Sequence, residues 1–318
     1  MTTTTPPGSA AAPGLGELSL RRARPRYGEK IIQALLLGAT ALSVLTTVGI
    51  VVALLVPTID FFRTVGVVEF LTGTVWTPLF AQKEFGVLPL VSATLLITFI
   101  ALVVAVPIGL GAAAYLSEFA SSRARRVFKP VLELLAGVPT VVYGFFALTF
   151  VTPLLRDLWP GANPPSTFNA LSAGLVMGVM IIPTVASLSE DAMSAVPRAL
   201  RDGAYALGSS PATVTRKVVF PAALSGIAAA VILGISRGLG ETMIVVVAAG
   251  STARLSGNPT EGMQTMTSFI AQAASGDQQV GSIGYNTIFA VGMLLFLFTL
   301  AMNVLSIRLV RRFREVYE

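Results

Sequence analysis

The sequence predicts an all-α polytopic membrane protein with six transmembrane helices and both termini in the cytoplasm. Three observations carry that prediction. Of the 318 residues, 54% are hydrophobic and only 12% charged, about half the charged share with which a soluble domain covers its surface. Mean hydropathy is +0.78. Apolar runs of about 20 residues, the length that crosses the hydrocarbon core, recur along the chain, and basic clusters separate alternate runs.

The first twenty residues, "MTTTTPPGSAAAPGLGELSL", lack an apolar stretch, so residues 1–28 read as a disordered cytoplasmic tail and not as a cleaved signal peptide. Residues 29–318 read as a single membrane domain. Its spans are expected at 31–56, 88–116, 131–155, 171–188, 222–250 and 283–310. The fourth is the shortest and carries Pro183. Basic residues orient the bundle. Arg21, Arg22, Arg24, Arg26 and Lys30 precede the first span, and Arg123, Arg125, Arg126 and Lys129 follow the second. Arg198, Arg201, Arg216 and Lys217 follow the fourth, and Arg308, Arg311, Arg312 and Arg314 close the chain. The opposite side holds Arg63, Lys83, Arg156 and Arg254. Positive residues mark the cytoplasmic side.

Two segments expected on the outer side are long, 57–87 and 251–282. The first contains "EFLTGTVWTPLF", where Trp76 and Phe80 suit the interfacial belt, packing on the bundle, or docking of an external partner.

Several chemistries are excluded. The net charge of +6 and pI near 10.0 invite a nucleic-acid reading. The basic residues, however, sit in short clusters beside apolar runs and form no long basic face. Cysteine and histidine are both absent, which removes thiolate and imidazole metal sites, Cys nucleophiles and Ser-His triads. No lysine follows a glycine, so no Gly-rich loop cradles a nucleotide. "GLGAAA" at 109–114 lies inside a span with no strand before it and reads as helix packing, as do Gly174/Gly178 and Gly234/Gly238. No cofactor and no metal are expected.

The loop at about 189–221 is legible in detail. Pro197 suits a first helical turn, Gly208 a C-cap, Ser210 an N-cap with Pro211 at N1, and Pro221 a stop. Two short cytoplasmic helices result, and Gly203, Ala204 and Ala206 keep one surface flat enough to enter a groove. Glu190 and Asp191, near Arg198 and Arg201, are expected to organise this loop electrostatically.

"DGAYALGSSPATVTRKVVFPAA" resembles the EAA loop of ABC-importer permeases, with Asp202, Gly203, Ala204, Gly208, Val218, Phe220 and Pro221 at the motif positions. Asp for Glu and Gly for Ala depart mildly from the motif. "FLTGTVWTP", "FGVLPLVSATL", "LAGVPTVVYGFF", "SLSEDAMSAVPRALRDGAYALG" and "RGLGETMIV", in this order, resemble phosphate-specific transport permeases, and their C-type subunit more than the A-type. The resemblance runs from about Glu69 to the C-terminus. It implies a type I ABC-importer permease architecture in the plasma membrane, with the loop serving as the coupling helix for an ATPase. It further implies a second related A-type permease, two ATPase subunits, an external phosphate-binding protein and inorganic phosphate as the cargo.

One feature of the residues themselves points to the cargo's path. Arg237 and Glu241 interrupt the apolar run 222–250, although a charge at mid-membrane costs roughly 2.5–3.5 kcal/mol even on insertion scales. Four apart, they are expected to share a helix face and pair, roughly 24 Å along the axis from Pro221. A structural pair joining two helices is one reading. The other is a substrate path, because the arginine fork matches oxyanion geometry and Glu241 holds Arg237 when the path is empty. Gly137, Pro139 and Gly144 are candidates for bending the third span and for gating, or form a tolerated kink. The chemistry alone leaves open sulfate, molybdate or phosphonate as cargo, an ATP-independent channel or carrier, and a membrane-embedded enzyme. The last has only one buried acid to work with.

Overall fold

The structure, a computed structural model, describes residues 27–276 and 278–313. Residues 1–26 of the expected tail and Arg314 lie outside the described residues. Among the described residues the regular structure is helical, joined by turns and loops, with one isolated antiparallel bridge, Trp76 to Phe85. The chain divides into two compact units, Met1–Val52 and Ala53–Glu318. The first contributes the start of α1 (Tyr27–Phe62), and the rest of the account concerns the second.

In that second unit α2 (Val67–Thr72) leads to α3 (Leu88–Ala114), which ends in a π-helical turn, Tyr115–Phe119. Next come α4 (Ser122–Gly137) and α5 (Thr140–Phe146), then a second π-turn at Ala147–Val151 and α6 (Thr152–Asp157). Helix α7 (Ala170–Ser194) precedes the short α8 (Arg198–Ala206) and α9 (Pro211–Val214). A third π-turn at Thr215–Val219 joins α9 to α10 (Phe220–Ala222). The chain closes with α11 (Leu224–Leu239), α12 (Met243–Ala248), α13 (Met266–Ala274) and α14 (Ile283–Phe313).

Four helices are long and apolar enough to cross a membrane: Glu29–Phe62, Leu88–Phe119, Ala170–Ser194 and Ile283–Arg308. The total reaches 6 if each of two bent pairs is one span. The third span, expected as one helix at 131–155, is in fact two helices meeting at 89°. Pro139 has no N–H to donate and disfavours helical geometry at the residue before it, and Val138 is extended (φ −66, ψ 130). The corner therefore falls at Gly137–Pro139, while Gly144 does not bend. The fifth span, expected as continuous over 222–250, is broken twice: by 73° at Ala223, and again between Leu239 and Met243. The count from Pro221 to Arg237 therefore runs straight only from Leu224, about 20 Å.

Pro221 does not stop its helix where expected. It sits in the first turn of α10, just past a π-turn whose closing N–H, that of Phe220, reaches back to the Thr215 carbonyl. The wider turn moves the ladder by one residue where a proline would otherwise leave a gap. Pro153 follows the second π-turn in the same way, where Thr152 N–H reaches the Ala147 carbonyl.

The core is built on α3 and α7, which share the most extensive helix contact. Glycines permit it. A Cβ on Gly178 would stand 2.8 Å from the Ala101 carbonyl oxygen, and one on Gly109 would stand 2.9 Å from Val185. Gly234 of α11 lies against Ile181 and Val185, and Gly238 against Thr98 and Ile181. The small-residue pairs are close helix crossings, as expected. A second cluster is aromatic, with Phe61, Phe70, Trp76, Phe85 and Phe269 buried together. Trp76 meets Phe269 edge to face at 5.0 Å, so it packs on the bundle and is not an interfacial anchor. Phe80 is exposed.

Candidate functional site

Arg237 stands in the last turn of α11, half-buried. The polypeptide leaves the helix at Gly240 and re-enters one at Met243, so Arg237 and Glu241 do not share a helix face. The expected pair is not formed. No carboxylate among the described residues lies within 4.0 Å of the guanidinium. Arg237 Nη1 instead donates to Thr184 Oγ1 of α7 at 2.9 Å.

Glu241 is buried and otherwise engaged. Its Oε1 accepts the backbone N–H groups of Met243 at 3.0 Å and Ile244 at 3.2 Å. These are orphan donors at the start of α12, which a side-chain oxygen commonly satisfies. The Glu241 carbonyl accepts the Thr267 hydroxyl of α13 at 2.7 Å. Each charge thus sits at the helix end that suits its sign, the cation at the C-terminus of α11 and the anion at the N-terminus of α12. The two charges are therefore treated differently: Glu241 is satisfied by the backbone of α12, and Arg237 only in part, by one hydroxyl and the end of α11.

Gly144 fits against this break. A Cβ there would lie 3.0 Å from Val247 Cβ, 3.2 Å from the Met243 carbonyl oxygen and 3.3 Å from Ile244 Cα. It is a close-contact position between α5 and α12. The neighbouring Tyr143 hydroxyl donates across the Gly137–Pro139 corner to the Leu135 carbonyl at 2.8 Å, bracing α4 against α5. Gly137 itself has open space around it.

Thr184 also lines a cavity of about 280 Å³ between α4 and α7, with Pro183, Ser187, Leu132, Lys129 and Glu190. At its mouth Lys129 Nζ bonds Glu190 Oε2 at 2.8 Å and Asp191 Oδ1 at 3.4 Å. Glu190 and Asp191 therefore answer Lys129 of α4, not Arg198 or Arg201 as expected. The sequence hides this because the partners lie 61 and 62 positions apart.

The 189–221 loop keeps most of its expected anatomy. Gly208 has φ +77, and α8 ends in a Schellman arrangement. Ser209 N–H reaches the Ala204 carbonyl at 3.2 Å and Gly208 N–H the Tyr205 carbonyl at 2.9 Å. Ser210 caps α9, accepting from Thr213 N–H at 3.4 Å, with Pro211 at N1. Pro197 is the residue before the first turn of α8 rather than within it. Asp202, Gly203, Gly208 and Pro221 are exposed and Ala204 is half-buried. Leu207 is 88% exposed, projecting apolar surface. Arg201 ties the loop to Glu118 at 3.0 Å. Nothing local in the sequence singled out Glu118, Thr184 or Tyr143, whose partners lie on other helices or across the corner.

The family described as "Binding-protein-dependent transport system inner membrane component" matches residues 105–315. A Bacillus subtilis protein described as "Probable ABC transporter permease protein YqgH" is 37% identical over 246 residues, 76% of this chain and 78% of its own. A Xylella fastidiosa "Phosphate transport system permease protein PstC" is 31% identical over 323 residues, covering 96% of each. Among solved structures, a bacterial alginate ABC transporter in complex with an alginate-bound periplasmic protein has a chain that superimposes with a TM-score of 0.62. At 15% identity, it covers 90% of this chain and 96% of that one, which is a likeness of fold.

Proposed function

Because this chain belongs to the binding-protein-dependent transport system inner membrane component family, we propose that it is a permease subunit of an ATP-driven phosphate importer. Phosphate as cargo is carried over from the PstC relatives. The observation that carries an anion path is Arg237: a half-buried guanidinium with one hydroxyl partner and no carboxylate beside it. Its unused donors form a planar fork suited to two oxyanion oxygens. Binding stays weak because a transported ion has to leave. Glu241 serves that site as the cap that holds the α11–α12 break open, with Gly144 seating α5 against it. Gly137 and Pro139 supply the corner between α4 and α5 that serves gating, the two helices moving there when the Tyr143–Leu135 hydrogen bond breaks.

In this reading each bent pair is one span, giving six, and the face with Lys129, Arg198 and Arg216 is cytoplasmic, as are both termini. The loop carrying Asp202, Gly203, Ala204, Gly208 and Pro221 enters a groove of a separate ATPase subunit, so this chain hydrolyses nothing itself. A second, A-type permease, two ATPase subunits and an external phosphate-binding protein complete the assembly in the plasma membrane.

The test is uptake of labelled phosphate and of labelled sulfate by the reconstituted complex, with and without ATP. ATP-dependent phosphate uptake is expected. Arg237→Gln, which removes at least one charge-assisted hydrogen bond worth about 1.5–3 kcal/mol, is expected to lower it about 10- to 150-fold. Preference for sulfate would reassign the cargo, and flux without ATP would overturn the importer. Near-normal uptake by Arg237→Gln would remove Arg237 from the path.

A further inference from the structure

Two things hold the base of the coupling loop: an apolar cluster that includes Val196, Val214 and Val219, and one buried guanidinium. Arg201 lies one residue before the Asp202–Ala204 motif, and its side chain is only 15% exposed. Its Nη2 donates to Glu118 Oε1 at 3.0 Å and its Nε to Glu118 Oε2 at 3.4 Å, a fork-to-carboxylate arrangement. Its Nη2 also donates to the Met193 carbonyl at 2.7 Å, and its Nη1 to the Val196 carbonyl. Glu118 is still more enclosed, with a side chain 6% exposed, and is fixed by the Ser117 hydroxyl at 2.8 Å. One guanidinium therefore joins three elements: α8, the π-turn that ends α3, and the C-terminal end of α7.

The rest of α8 is loosely attached. None of its residues is fully buried, and Ala204 is its one side chain packed against the neighbouring apolar cluster. Among the described residues, Arg201 alone of the α8 side chains hydrogen-bonds to another element. A displacement of α8 is thus delivered to α3 and α7 through the Arg201 hydrogen bonds, alongside its packing on α9 and the third π-turn. Its receivers are stiff. Helices α3 and α7 cross at glycines with backbone close to side chain, and Met193 lies nine residues from Thr184 along α7, about 13 Å of helix. Thr184 is the partner of Arg237.

We propose that Arg201 is a positioning residue for transport. With Glu118, it transmits movement of the coupling helix into α3 and α7, and so to the Thr184–Arg237 contact. This rests on the reading above that α8 docks on an ATPase. A lysine in its place would keep the charge but not the fork, and would satisfy at most part of the Glu118, Met193 and Val196 set.

The experiment uses the assembled complex in proteoliposomes and reads ATP hydrolysis and phosphate uptake on the same preparation. Arg201→Lys and Glu118→Gln are expected to retain bound ATPase subunits and ATP hydrolysis. Phosphate moved per ATP is expected to fall several-fold, because hydrolysis continues while the movement it drives no longer reaches α3 and α7. A purely structural support would change the yield of complex and leave that ratio unmoved. In parallel, Leu207→Cys in an otherwise unchanged chain, which has no other cysteine, is cross-linked to the ATPase. Cross-linking together with a wild-type ratio in both variants would overturn the clamp while leaving the docking intact. Absence of cross-linking would remove the docking itself, and the clamp with it. Loss of assembly in Glu118→Gln, whose side chain keeps its size and an acceptor oxygen, would also overturn the proposal by making the pair a structural support.

Discussion

Replacing Glu241 separates its two possible roles, counter-ion of Arg237 or cap of α12. Its Oε1 accepts N–H groups from Met243 and Ile244 at 3.0 and 3.2 Å in a site 8% exposed. A glutamine keeps an oxygen in that place and loses only the charge assistance, about 1 kcal/mol per bond and so about 2 kcal/mol for the two. An alanine leaves both donors buried and unmet, at about 1–3 kcal/mol each, or about 2–6 kcal/mol together. The upper part of that range is a large fraction of the stability of an ordinary domain. The assay is thermal stability of the purified complex, followed by phosphate uptake normalised to assembled protein. Glu241→Gln is expected to melt slightly lower and to transport nearly normally per complex, while Glu241→Ala assembles poorly. A Glu241→Gln complex that assembles fully yet loses uptake as completely as Arg237→Gln would refute this. It would mean that the carboxylate charge, and not its hydrogen bonds, serves the path.

Gly144→Ala brings a methyl group within 3.3 Å of two α12 backbone atoms and is expected to cost about 1–3 kcal/mol as overpacking, read as a lower melting temperature and slower uptake. Gly208→Ala meets open space but must hold φ +77, so it is expected to cost about 1–2 kcal/mol by left-handed strain alone, read as faster hydrogen exchange over the last turn of α8. Lys129→Met strands the Glu190 carboxylate, whose side chain is 6% exposed. The single variant is therefore expected to melt below the Lys129→Met/Glu190→Gln double variant, since an unpaired buried charge is worse than no charges.

Much of the fold was legible because its signals are local. The unbroken spans rest on apolar length, the loop on Gly208, Ser210 and Pro211, and the helix crossings on glycines at spacing four. The corner at Pro139 was visible as a proline, but its angle was not. Apolar length reports that a segment is greasy enough to cross, not whether it is straight, and α4 followed by α5–α6 passes the same test as a single helix. Pro221 misled for a related reason. A proline stops an α-ladder of four-residue reach, and the five-residue reach of the turn before it is set by packing that no local pattern records.

The candidate site was half legible, and the error carries the most information. Residue types placed a cation and an anion in the membrane, and helical periodicity joined them, because spacing four means proximity only where the helix continues. Leu239–Met243 is where it does not. Gly240 offers no side chain to hold the helix, Thr242 favours an end over an interior, and Glu241 gains two backbone bonds only if the chain breaks. Once the carboxylate is committed to α12, it is no longer available to neutralise Arg237. The guanidinium then keeps the C-terminal end of α11 and one hydroxyl from Thr184, which together leave most of its charge and donors unmet. A half-buried arginine in that state keeps donors free for an anionic solute. Missing the pair therefore strengthens the case for an anion path: a closed ion pair would have explained Arg237 without any solute, and the broken helix does not.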